Sequence, residues 1–70
     1  MDDNYKIGVL FQNGYFSSIP VVGYALIDWG IDADTGILWC FVKNNEETLY
    51  QYFPLSNITS ITSNIPIQVE

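Results

Sequence analysis

The chain has no histidine and only two cations, Lys6 and Lys43, so it contains no arginine. It has one cysteine, Cys40. Each shortage removes a class of function. Without histidine, the most frequent general base and a common zinc ligand are missing. A single cysteine forms no intramolecular disulfide and fits a reducing compartment. Two lysines against eight carboxylates leave a formal charge of −6. Such a chain cannot neutralise a row of phosphates, so no direct binding to a DNA or RNA backbone is expected. The same shortage of cations argues against an anionic membrane surface. No apolar run reaches the length of a membrane span. The opening residues, Met1 to Lys6, are polar and acidic, unlike a secretory signal. The expected location is cytoplasmic.

What the chain has instead is apolar and aromatic content. Of its 70 residues, 49% are hydrophobic and 16% aromatic. That length allows one domain, spanning 1–70. A domain this small buries only about 60% of the surface its unfolded chain exposes. With no disulfide or metal to staple it, stability must come from large rings and from association, so a homo-oligomer is expected.

Turn signals recur at short intervals, which predicts strands. Residues 5–11 form a first strand with Ile7, Val9 and Phe11 on one face. Asn13-Gly14 is a hairpin signal, and 15–19 returns. Pro20 places a corner or strand start. Residues 21–31 are apolar at both odd and even positions, which predicts a strand buried on both sides or sharply bent, with Gly23 and Gly30 at the bends. Asp32 to Gly36 is a turn. Strands follow at 37–43, again apolar on both faces, and at 48–53, with Tyr50 and Tyr52 opposite Leu49, Gln51 and Phe53. A tight turn at 54–57 leads to a closing strand at 58–62. The expected fold is all-β, a small, highly curved barrel of five or six strands, SH3-like or Sm-like. The segment Phe53-Pro54-Leu55-Ser56-Asn57-Ile58 resembles the 3₁₀ turn that enters the last strand of SH3 domains, which implies that architecture and no binding residues. In the tail, 64–70, Ile65, Ile67 and Val69 point one way and Pro66, Gln68 and Glu70 the other. The tail reads as an edge strand or exchange segment, and those three apolar residues as an oligomer contact on a neighbouring subunit.

No catalytic constellation is visible. Cys40 lies in an apolar strand and reads as a small buried hydrophobe. No serine has a base partner, and no glycine-rich loop precedes a helix. The run from Asp32 starts like a calcium loop, but Gly36 and Lys43 fall where ligands are needed. The expectation is therefore no enzyme, no metal and no cofactor. Asp28, Asp32 and Asp34 form the one carboxylate cluster, either a partner-facing patch or turn caps. Tyr24, Trp29, Tyr50 and Tyr52 are candidates for exposure, because each lies opposite or beyond a better core face; packing a second side is the other reading.

These features point to a non-enzymatic acidic interaction protein, of the kind found in viruses and mobile elements. It would bind and inhibit a protein partner with a basic surface. In the sharpest form, its carboxylates imitate phosphates and block a nucleic-acid enzyme. The alternatives are a structural subunit assembling through strand edges and a small-ligand-binding oligomer.

Overall fold

A computed structural model describes residues 5–69, which form six β-strands and one 3₁₀ turn. The strands are β1 (Ile7–Phe11), β2 (Phe16–Ile19), β3 (Ala25–Asp32), β4 (Ile37–Lys43), β5 (Thr48–Pro54) and β6 (Ile58–Ser63). The 3₁₀ turn, Leu55–Asn57, joins β5 to β6. The strands pair antiparallel as two three-stranded sheets, in the orders β2-β1-β6 and β3-β4-β5. The all-β expectation holds. Among the described residues no ladder joins the two sheets into a closed barrel, and no helix is long and apolar enough to cross a membrane.

Local chemistry sets the hairpins. In the first, the Gly14 N–H donates to Phe11 O at 2.9 Å, and the Phe11 N–H to Tyr15 O at 2.8 Å. Gly14 has φ +88° while Asn13 stays at negative φ. The loop is thus a three-residue turn ending in a left-handed glycine, rather than a two-residue turn with both positions left-handed. In the second hairpin, Asp32 Oδ1 accepts from the Asp34 N–H at 3.0 Å. In the third, Asn44 Oδ1 accepts from the N–H groups of Glu46 and Glu47. Short polar side chains satisfy turn amides in both.

The segment 21–31 is where structure and sequence pattern part. Residues 21–24 are a turn, with Gly23 at φ +93°. β3 starts at Ala25, and the register against β4 slips between Leu26 and Asp28. This bulge puts Ile27 out of step and changes which positions face inward. Leu26 pairs with buried Val42, whereas Trp29 and Ile31 pair with buried Cys40 and Leu38. The segment is apolar at odd and even positions because its parity changes at the bulge. Gly30 is not the bend; it makes room for a ring. A Cβ there would lie 2.7 Å from Trp39 Cζ2.

The core lies between the sheets. Ile7, Val9 and Ile19 from the first meet Leu26, Leu38, Cys40 and Val42 from the second. Phe11 and Phe53 meet across the sheets with ring centroids 6.0 Å apart. The tail packs on this same core. Ile65 and Ile67 are half-buried against it. The Trp29 indole N–H donates to Pro66 O at 3.0 Å, and the Ile31 N–H to Gln68 O at 2.9 Å. Val69 forms an isolated parallel bridge with Ile31. The expected alternation is present at Ile65 and Ile67, but the surface they cover is the chain's own, because β3 offers an open edge within reach. Val69 remains 64% exposed, and Glu70 lies outside the described residues.

Candidate functional site

The outer face of the second sheet follows from its register. Asp28, Phe41 and Tyr50 form one row across β3, β4 and β5. Gly30, Trp39 and Tyr52 form the next, and Asp32, Ile37 and Pro54 the third. These positions alternate with the buried Leu38, Cys40 and Val42, so all of them face away from the core. Phe41 and Tyr50 are in ring contact, with centroids 4.9 Å apart. Trp39 lies over Gly30. Tyr50 and Tyr52 are 62% and 64% exposed. The result is a surface of four adjoining rings.

Carboxylates frame these rings, with one cation, Lys43, exposed in the row between Ala25 and Thr48. Asp28 sits exposed on β3, and its Oδ1 accepts from the Trp29 N–H. Asp32 is half-buried at the β3–β4 turn, and Asp34 is exposed within that turn. Glu46 and Glu47 lie exposed at the opposite end, in the β4–β5 turn. An apolar centre with a charged rim is the usual anatomy of a protein-binding surface. It is poor geometry for a metal. Asp28 and Asp32 are four residues apart on one strand, about 13 Å at ~3.3 Å per residue. Among the described residues, no three histidine, cysteine, aspartate or glutamate side chains come together as a metal site.

The candidates from sequence therefore divide. Asp28, Asp32, Tyr50 and Tyr52 share the outer face, with Asp34 at its end. Trp29 does not; the bulge turns it inward, where it meets Tyr5 at a tilt, with ring centroids 5.1 Å apart, and donates its indole N–H to Pro66 O. Tyr24 is half-buried at the entrance to β3, and its hydroxyl donates to the Glu47 carboxylate. That bond holds the Tyr24 phenol above its ordinary pKa. Trp39 and Phe41 belong to the face and were not among the candidates. The signal for them was the two-sided apolar pattern of 37–43 together with a glycine on the neighbouring strand.

Cys40 is 1% exposed, and burial pushes its thiol up to about 11. It is protonated at neutral pH, a poor state for a nucleophile. A concave region of about 690 Å³ lies beside β2, between the first sheet and the entrance to β3. Its walls include Phe16, Pro20, Val21 and Val22, and among the described residues Lys6 is its one charged side chain. Compared with known proteins, the chain matches no family model, no curated protein and no solved structure.

Proposed function

We propose that this protein is a non-enzymatic interaction domain whose outer β3-β4-β5 face docks a protein partner with a basic surface. The observation that carries this reading is the gathering of Trp39, Phe41, Tyr50 and Tyr52 on one face with Asp28 at its side. Exposed tyrosines supply large contact area at low entropy cost. The partner is basic by complementarity, because the chain holds −6 and carboxylates outnumber the single Lys43 at the rim. Arginine and lysine side chains gain from both parts, stacking on rings and pairing with carboxylates. In the narrower form, the partner is a nucleic-acid enzyme whose phosphate-binding surface the carboxylates occupy. The fold we assign is an SH3-like barrel in which the turn at 21–24 carries the chain from β2 on the first sheet to β3 on the second. Its support is the strand order, with β6 beside β1, and the 3₁₀ turn before β6.

The test is a partner captured from lysate and then titrated with variants. We expect Tyr50→Ser with Tyr52→Ser to weaken affinity by about 2 kcal/mol or more, roughly 30-fold. Each change alone should alter folding stability by no more than about 0.5 kcal/mol, because both rings are largely exposed. Replacing Asp28, Asp32 and Asp34 by Asn should flatten the salt dependence of binding. An affinity indifferent to all five substitutions would remove the face as the site.

A further inference from the structure

Half of the eight large apolar side chains exposed among the described residues, namely Tyr15, Phe16, Val21 and Val22, lie on β2 or at its ends. Val22 is fully exposed, at 101%. β2 is an end strand, with no strand on its far side among the described residues. The hairpin bond from the Phe11 N–H to Tyr15 O sets the parity of its backbone. In an antiparallel ladder, bonded and non-bonded pairs alternate. Leu10–Phe16 is then a non-bonded pair, Val9–Ser17 a bonded one, and Gly8–Ser18 non-bonded. The N–H and C=O groups of Phe16 and Ser18 therefore point away from β1, along an open edge.

Natural edges are commonly blunted by a charge, a bulge or an internal proline. β2, Phe-Ser-Ser-Ile, has none of these, and Pro20 comes only after its last residue. Among the described residues no carboxylate lies on β2, and Lys6 is the one charged side chain lining the groove beside it, although Glu47 reaches the groove's Tyr24 hydroxyl. Asp28, Asp32, Asp34, Glu46 and Glu47 lie on the second sheet or its turns. Two bodies of charge −6 repel each other, so a contact between copies has to be carried by backbone pairing.

We propose that β2 is a dimer contact, at which two copies of this chain pair antiparallel about a two-fold axis through Ser17. Phe16 of one copy then stands opposite Ser18 of the other, twice. Both residues have outward backbone groups, so this register makes four hydrogen bonds and fuses the two first sheets into one of six strands. The occupant is a second copy because a strand paired antiparallel with itself is self-complementary and closes at two. The contact is independent of the aromatic face and leaves that face free.

Sedimentation equilibrium of the full chain tests the proposal. The expected species has twice the 8.0 kDa mass of one chain. Ser18→Pro removes a donor that the single chain does not use, and with it two of the four bonds. Its dissociation constant should rise roughly 10- to 100-fold. Ser18→Glu, at an exposed position, adds a like charge to both sides and should act in the same direction, with circular dichroism unchanged. In the unaltered protein, amide exchange at Phe16 and Ser18 should slow as concentration rises, while exchange at Ser17 stays constant. Added salt should tighten the dimer, the reverse of its effect on a basic partner. A monomer at every concentration, or a dimer unaffected by both variants, overturns the proposal.

Discussion

On the outer face of the first sheet, Phe16 lies across Gly8, where a Cβ would come within 2.7 Å of its ring. On the outer face of the second, Trp39 lies across Gly30 at the same 2.7 Å. The surroundings differ. Phe16 has Leu10 directly opposite it and Ser18, Ser60 and Thr62 for its other neighbours on that face. Trp39 has Phe41, Tyr50 and Tyr52. One ring beside one leucine among hydroxyls is a small apolar spot on a water-facing sheet, whereas four rings in adjoining rows make a continuous apolar surface. The comparison separates a sheet whose apolar exposure gathers along an edge from one whose exposure fills a face.

The largest expected effect comes from cutting the tail, which touches both sheets. The tail binds the first through Asn64 and Lys6, and the second through Trp29 and Ile31. Ending the chain at Ser63 removes Ile65 and Ile67 from the core and the partner of the Trp29 indole. We expect a loss of roughly 2–4 kcal/mol in denaturant melts, from two half-buried branched side chains and one hydrogen bond. Trp29 fluorescence should shift to the red. Unchanged stability would mean that the two sheets hold together without the tail.

A smaller effect concerns the core of the second sheet. The Cys40 thiol has a folded pKa of about 11, above its ordinary value of 9.0. Its contribution is complete below the unfolded pKa and is lost as pH rises through the folded one. Stability should therefore fall between about pH 9 and pH 11, by on the order of 2 kcal/mol from this group. Tyr24, also raised, acts in the same direction. Comparing Cys40→Ala with the unaltered chain isolates the thiol, and the variant should show a flatter pH dependence over this range.

The smallest effect sharpens the comparison itself. Gly8→Ala pushes against the tip of Phe16, a ring 57% exposed and free to swing outward. Gly30→Ala pushes against Trp39, half-buried between its neighbours. We expect a cost of about 1–3 kcal/mol for Gly30→Ala and less than ~1 for Gly8→Ala, read from thermal melts. Equal costs would show that Trp39 is no better held than Phe16.

Much of the candidate face was legible in the sequence. Tyr50 and Tyr52 alternate with Leu49, Gln51 and Phe53, and the structure exposes the tyrosines as that alternation requires. Asp28 and Asp32 were legible as acids near a turn, but not as members of an aromatic face. Trp29 was misplaced, because one bulge residue between it and Leu26 reverses every assignment beyond it. No local pattern marks that residue, since Ile27 is as apolar as Leu26 before it.

The sequence by itself determined the strands other than the start of β3, the three hairpin turns and the inward faces of β1 and β5. Period-two alternation and turn chemistry are local properties, settled within a few residues. Only the tertiary structure decided that the ladders close as two sheets, that Trp39 uses the space above Gly30, and that the tail lies along β3 of its own chain. Those outcomes depend on which strands meet and in what register. They bring together residues distant in sequence, such as Trp29 and Pro66, whose proximity no window of neighbouring residues contains.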